Sequence, residues 1–101
     1  MDNSSFEMIS FDDAKDMIED ESSLILDIRD EVSYSDSHYP NAIHLSNQNF
    51  NKVIEKTDRK KTIIVYCYKG ISSQNVAQHL CNLGFENVYS LNGGYKKSTV
   101  E

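Results

Sequence analysis

The chain has 101 residues, enough for one domain with a modest core and too few for two. Its 39% hydrophobic and 26% charged residues are typical of a soluble globular protein, and its net charge of −6 argues against a nucleic-acid partner. No apolar run approaches the ~20 residues of a membrane span, and the two cysteines lack the spacing of a metal site or a disulfide framework. We therefore expect a single domain over residues 1–101, cytoplasmic and without a membrane partner.

The first predicted elements are a short strand and a helix. The strand is expected around Glu7–Ile9, and Ser10 follows as a helix N-cap with Asp13 three residues on. The apolar stripe of this helix consists of Phe11, Ala14, Met17 and Ile18. The pattern therefore predicts an amphipathic helix packed on a sheet.

Further short apolar runs predict more strands. Core strands are expected at Leu24–Leu26 and Ala42–Leu45, and a fifth strand at Asn87–Leu91 before a turn at Gly93 and Gly94. A helix after the third strand has an inner face of Phe50, Val53 and Ile54. Strands that alternate with helices predict an α/β fold, with a five-stranded, mostly parallel sheet flanked by helices on both faces.

The stretch around Cys67 contains the candidate reactive residue. Ile63–Val65 is typical of a buried parallel strand, and Cys67 lies just after it. After Gly70 and two serines, a helix is predicted from Val76, Ala77, Leu80 and Leu83, with a stop at Gly84. The cysteine is therefore expected at the carboxyl end of a strand, in a tight turn before a helix N-terminus, where ligands of such sheets bind.

This position favours an anionic sulfur. The first amides of a helix have no partner within the helix, and the helix dipole places partial positive charge there. Both effects stabilise a thiolate or a bound anion. A lone cysteine after a strand is more often a buried structural residue, but the glycine and serines after Cys67 favour a reactive thiol.

The charge is unevenly distributed along the chain. Residues 1–50 carry 12 acidic and 2 basic side chains, whereas residues 51–101, which include the cysteine loop, carry 4 and 8. Two interpretations stay open: the basic half steers anionic substrates towards the site, or the two halves form solvated surfaces that differ by chance.

Three segments resemble the rhodanese sulfurtransferases. Cys67–Ser73 is similar to the family's active-site loop, C-x-x-G-x-[RS]-[ST]. Leu26–His44 is similar to its upstream D-x-R…H-x-x-A-x-H/N signature, and Val88–Tyr95 to its closing V-x-x-L-x-G-G-[FY] signature. The resemblance covers about residues 6–97 and is greatest to small single-domain thiosulfate sulfurtransferases of the GlpE type.

The resemblance implies a thiosulfate sulfurtransferase with Cys67 as its nucleophile. A sulfane sulfur would pass from thiosulfate to Cys67 with release of sulfite, and the persulfide would pass it to cyanide or to a dithiol such as a thioredoxin-like protein. Neither a metal nor an organic cofactor is implied. The residues expected to bind substrate are Tyr68, Lys69, Gly70, Ile71, Ser72 and Ser73.

The resemblance also implies that Asp27 and Arg29 support the loop rather than take part in the chemistry. From their spacing at a strand end, we expect their side chains to point to opposite faces and not to pair directly. The sequence departs from the family at Ser72, often an arginine, for which Lys69 would compensate as a point charge. It also has Ser98 near the position of a frequent tryptophan, so the final helix is expected to be short or missing.

Two other functions are weighed. A phosphatase with a C-x5-R loop needs an arginine six positions after the cysteine, where Ser73 stands, and the present loop is one residue shorter. An interaction or persulfide-carrier module stays open, although such modules commonly lack the cysteine. Cys81 is expected to be a small core residue, and the three histidines to be structural, because spacing supplies no base geometry.

Overall fold

The computed structural model describes residues 5–96. The strands and helices in chain order are β1 (Glu7–Ile9), α1 (Phe11–Glu19), β2 (Leu24–Asp27), α2 (Glu31–Asp36), β3 (Ala42–His44), α3 (Phe50–Lys56), β4 (Thr62–Tyr66), α4 (Ser72–Asn82) and β5 (Asn87–Leu91). All five predicted strands are present within one residue of their predicted ends. The expectation for the chain around Ser98 lies outside the described residues.

The strands form one sheet in the order β1-β5-β4-β2-β3, and every pairing between neighbours is parallel. The predicted five-stranded α/β sheet is confirmed. Because parallel strands point the same way, all their carboxyl ends meet at one edge. The central strand β4 thus ends beside β2 and β5, which are its neighbours.

Apolar cores lie on both faces of the sheet, and β4 contributes to each. Its Ile63 and Val65 pack in the core beneath α3 and α4, and its Ile64 and Tyr66 pack in the core beneath α1. A strand buried on both faces carries a continuous apolar run instead of an alternating one. This burial fixes β4, so the residue that follows it starts from a rigid position.

The ends of two helices follow from their capping residues. Ser10 accepts a hydrogen bond from the backbone N–H of Asp13 at 3.2 Å at the start of α1. Gly84, with a φ of +100°, ends α4, and its N–H donates to the Cys81 carbonyl at 2.9 Å. No helix in residues 5–96 is both long and apolar enough to cross a membrane.

Helix α2 was not predicted. Asp30 caps it by accepting the N–H of Ser33 at 2.9 Å, but none of its six residues is buried. Only Tyr34 packs against the core, and it is only partly buried, so the helix lacks the apolar stripe that hydrophobic periodicity detects. Its position directly after β2 places it at the edge of the sheet where β4 also ends.

Candidate active site

Cys67 directly follows β4, begins the turn into α4, and is only 3% exposed. Its Sγ accepts hydrogen bonds from the backbone N–H groups of Gly70 at 3.2 Å and Ser73 at 3.3 Å. The hydroxyl oxygen of Ser73 lies 3.4 Å from the same sulfur. The turn therefore surrounds the sulfur with donors, which is the arrangement that stabilises an anion.

These donors set the ionisation of Cys67. Burial alone raises the pKa of the thiol, because a buried thiolate loses hydration. Hydrogen bonds from the Ser73 hydroxyl and from the backbone N–H groups of Ser73, Gly70 and Lys69 outweigh burial, and the pKa falls below its usual value. The thiolate is the nucleophilic form of cysteine, so the loop favours nucleophilic chemistry at this sulfur.

Two residues outside the predicted set hold the loop. Ser90 on β5 places its Oγ 2.8 Å from that of Ser73, and both side chains are fully buried. Gln74 donates from Nε2 to the Gly70 carbonyl at 2.8 Å. The serine inside the apolar run of β5 was a signal that sequence reasoning missed, whereas no sequence pattern marks Gln74.

Two glycines let the loop pack against the chain that follows β5. Gly70 has a φ of +90°, and a Cβ there would lie 2.8 Å from the backbone nitrogen of Gly93. Gly94 has a φ of +68°, and a Cβ there would lie 2.5 Å from the carbonyl of Tyr68. The next residue, Tyr95, donates its backbone N–H to the Cys67 carbonyl at 2.8 Å. Residues 92–95 therefore form a backbone support for the loop.

Asp27 and Arg29 form a buried ion pair, so the expectation that they do not pair was wrong. Nη2 of Arg29 lies 2.7 Å from Oδ2 of Asp27, and its Nε lies 3.1 Å from both carboxylate oxygens. Residues two apart on a strand share a face, and Arg29 already lies in the bend after β2. That bend also lets the Arg29 backbone N–H donate to the same carboxylate at 2.8 Å.

The ion pair reaches the loop through an aromatic ring. The guanidinium of Arg29 lies 4.1 Å from the ring centroid of Tyr95, whose backbone N–H holds the Cys67 carbonyl. Arg29 also donates to the carbonyl of Ser37, just after α2, at 2.7 Å. Burial and a hydrogen bond with Asp27 raise the pKa of the neighbouring Tyr66 hydroxyl, which keeps that group neutral.

The remaining loop residues face outward. Tyr68 is 51% exposed, and its hydroxyl donates to the carboxylate of Asp30 at the start of α2. Lys69, Ile71 and Ser72 are also exposed, with Ile71 at 70%. The predicted loop residues thus divide by burial: Gly70 and Ser73 are buried beside the sulfur, and the other four have exposed side chains that form the rim.

The chain is similar to known proteins over most of its length. The family model described as the rhodanese-like domain matches residues 10–100. The chain belongs to this rhodanese family. Two relatives named thiosulfate sulfurtransferase GlpE are each 45% identical: the one from Coxiella burnetii aligns over 90% of this chain and 85% of its own, and the one from Shewanella oneidensis over 91% of both.

These relationships confirm the predicted class, so the protein is a rhodanese-type sulfurtransferase. The fold agrees: a rhodanese-related protein from Thermoplasma volcanium superposes with a TM-score of 0.75 at 22% identity, covering 91% of this chain and 89% of that one. That solved structure supports the fold alone. The class of enzyme comes from the relatives.

The second cysteine of this rhodanese lies in a different environment. Cys81 is 5% exposed and packs in the core beneath α4. Burial raises the pKa of its thiol, and no other group shifts it. The prediction that Cys81 is a small core residue is confirmed.

The histidines contact other parts of the fold. His38 stacks on Tyr34 with 3.9 Å between ring centroids, and the Nε2 of His44 lies 2.6 Å from the Arg29 carbonyl. His79 packs its ring 5.5 Å from that of Phe50. None of these contacts, all of them within residues 5–96, involves the Cys67 sulfur.

Proposed function

We propose that this rhodanese is a thiosulfate sulfurtransferase that works through a Cys67 persulfide. The thiolate of Cys67 attacks the outer sulfur of thiosulfate, the sulfur–sulfur bond breaks, and its electron pair leaves with sulfite. The observation that carries the proposal is the cluster of donors around Sγ, from Gly70 and Ser73. The relatives named thiosulfate sulfurtransferase support thiosulfate as the donor.

In the second half of the reaction, an acceptor removes the outer sulfur. The carbon of cyanide or a thiolate of a dithiol, such as a thioredoxin-like protein, attacks the terminal sulfur of the persulfide. The bond to Cys67 breaks, and its electron pair restores the thiolate. The protein supplies this chemistry from its own side chains and backbone, with no step through a metal or an organic cofactor.

The loop divides the work between backbone and side chains. Amides at Gly70 and Ser73 stabilise negative charge on sulfur in both the thiolate and the persulfide. The ammonium of Lys69, exposed on the rim, attracts the thiosulfate dianion. Asp27 and Arg29 support the site through Tyr95, by the contacts described above. Because a free thiol is required, we propose the reducing cytoplasm as the compartment.

Mass spectrometry tests the proposal directly. Thiosulfate should increase the intact mass by one sulfur atom, and cyanide should remove it with formation of thiocyanate. Peptide mapping should place the sulfur on Cys67, and Cys81→Ser should be labelled like the parent. A protein that gains no sulfur, or gains it at Cys81, contradicts the proposal.

Two further measurements, sulfur release to an acceptor and aryl phosphate hydrolysis, separate the two runner-up functions. A persulfide-carrier module would take up sulfur but release it to neither cyanide nor a dithiol at a catalytic rate. A phosphatase would hydrolyse an aryl phosphate, for which the loop lacks a bidentate guanidinium. Ser73, at the position that such an arginine would occupy, is fully buried against Ser90, so no side chain there reaches outward. We expect aryl phosphate hydrolysis at background.

A further inference from the structure

The Ser90 hydroxyl is a buried polar group within an apolar strand. Ser90 is fully buried, and Val88, two residues earlier on the same face of β5, belongs to the apolar core beneath α4. A hydroxyl removed from water needs a hydrogen-bond partner to offset its lost hydration. The Oγ of Ser73, at 2.8 Å, is such a partner.

The pair continues to the reactive sulfur. Ser73 Oγ lies 3.4 Å from the Sγ of Cys67, so three side-chain atoms form a chain from β5 to the sulfur. Each hydroxyl has one hydrogen to donate. In the thiol state, the S–H donates to Ser73, and either hydroxyl can be the donor between Ser73 and Ser90. In the thiolate state the sulfur only accepts, so Ser73 donates to it and Ser90 must donate to Ser73.

We propose that Ser90 is a positioning residue for sulfur transfer: its hydroxyl donates to Ser73 Oγ and thereby directs the Ser73 hydrogen at the Cys67 thiolate. Ser90 itself does not touch the sulfur. When the thiol loses its proton to solvent, the Ser73 hydroxyl turns towards the sulfur, and no covalent bond of either serine changes. Linked hydrogen bonds polarise one another, so the Ser90 donor strengthens the bond that Ser73 gives to the sulfur.

This inference rests on the proposed function only in that Cys67 reacts as a thiolate. Its test measures ionisation with iodoacetamide in the absence of thiosulfate. A protein that fails to transfer sulfur still gives a Cys67 pKa, so failure of the proposed function and failure of this inference are separate results.

The main variant is Ser90→Ala, which removes the hydroxyl at nearly constant volume. The alkylation rate of the Cys67 peptide, resolved from that of Cys81 by mass, is followed against pH. Cooperative strengthening of 10–30% in one charge-assisted bond predicts a rise in the Cys67 pKa of roughly 0.1–0.7 pH units. Ser73→Ala, which removes the direct donor, should raise it further, by roughly 1–2 units.

A double variant and a matched control distinguish positioning from general loosening. In a Ser73→Ala background, Ser90→Ala should leave the Cys67 pKa unchanged, because its effect passes through Ser73. Val88→Ala, on the same strand and face, should lower the melting temperature without moving that pKa. An unchanged pKa in folded Ser90→Ala, or an equal shift in both backgrounds, overturns the inference.

Two further substitutions keep the test decisive. Ser90→Thr retains a hydroxyl and should give the parental pKa if it folds. Should the alanine variant fail to fold, Ser90→Cys takes its place, since a thiol is a weak donor of similar shape. A raised Cys67 pKa in that variant supports the inference, and a parental value contradicts it.

Discussion

The two cysteines lie near opposite ends of one helix and are almost equally buried, yet the pKa values of their thiols are shifted in opposite directions. Cys67, before α4, is 3% exposed and its pKa is lowered, whereas Cys81, in the last turns, is 5% exposed and its pKa is raised. Burial disfavours the thiolate at both positions. The difference comes from N–H and O–H donors, which the turn supplies to Cys67 and the apolar core does not supply to Cys81.

Position along the helix explains why the donors occur at only one end. Amides in the first turn of a helix have no intrahelical partner and remain available, as that of Ser73 shows by donating to the Cys67 sulfur. By the position of Cys81, every amide already donates within the helix. Two cysteines near opposite ends of one helix can therefore differ in the direction of their pKa shift with almost equal solvent access.

The largest effect is expected from exchanging sulfur for oxygen. Cys67→Ser should abolish sulfur transfer and leave the fold intact, because a serine hydroxyl is nearly isosteric but far too weakly acidic to form the attacking anion. Cys81→Ser should retain activity and lose about 1–3 kcal/mol of stability if its hydroxyl finds no partner. Thiocyanate formation and thermal unfolding measure both effects. A folded but inactive Cys81→Ser would contradict the roles assigned to the two cysteines.

The support beneath the Cys67 end is tested next by Gly94→Ala. A left-handed φ costs about 1–2 kcal/mol for a residue with a Cβ, and here the Cβ would also meet the Tyr68 carbonyl. We expect the loop to shift, the Cys67 pKa to rise and sulfur transfer to fall at least tenfold. The control is Gly93→Ala, with a φ of +77° but a Cβ that meets only the flexible end of Lys96. Equal activity in the two variants would contradict a role for this backbone support in sulfur transfer.

A smaller effect on reactivity, with a loss of stability, is expected from Arg29→Met. It leaves Asp27 buried without its cation, which costs about 3–5 kcal/mol, and it removes the cation that lies over Tyr95. Arg59→Met is the control near Cys81: Arg59 is exposed and donates to the Leu83 carbonyl. It should cost less than about 1 kcal/mol. Denaturant unfolding measures the loss of stability, and alkylation measures the reactivity of Cys67. The Arg29 variant should show both effects, whereas the control should stay within its limit for stability and keep the parental reactivity.

The smallest effect is the pH dependence of stability. A lowered pKa in the folded state means that Cys67 contributes stability above its unfolded pKa and loses it as pH falls through the folded pKa. The raised pKa of Cys81 acts oppositely: its contribution is complete below the unfolded pKa and is lost as pH rises through the folded one. Between pH 7 and 10, the unfolding free energy of Cys67→Ser should rise less with pH than that of the parent, and that of Cys81→Ser should rise more.

Much of this architecture could be predicted because its signals are local. The strands Leu24–Asp27 and Thr62–Tyr66 are buried runs of apolar residues, and the caps of α1 and α4 involve neighbours in sequence. The contacts of Gly70 and Ser73 with the sulfur are local too, since they lie within the turn that follows Cys67. The centre of the site could therefore be predicted from sequence spacing.

The parts that could not be predicted depend on tertiary contacts or on the course of a bend. Ser90 meets Ser73 only because β5 lies beside β4 and beneath α4, and no spacing rule relates the two serines. The Asp27–Arg29 pair depends on how the chain bends after β2, where strand geometry no longer applies. Helix α2 begins at a polar capping residue, Asp30, and none of its own residues is buried. In each case the deciding interaction leaves no periodic trace in the sequence.

The support at residues 92–95 also determines when the thiol becomes reactive during synthesis on the ribosome. Cys67 leaves the ribosome well before Tyr95, whose N–H holds the loop, and before β5, which pairs with the first strand, β1. Synthesis proceeds from the N-terminus at about 5–20 residues per second, so for more than a second the nascent cysteine lacks its backbone support and Ser90. During that interval it has the ordinary acidity of an unfolded thiol. The lowered pKa of Cys67 is thus complete only when the last strand has been added to the sheet.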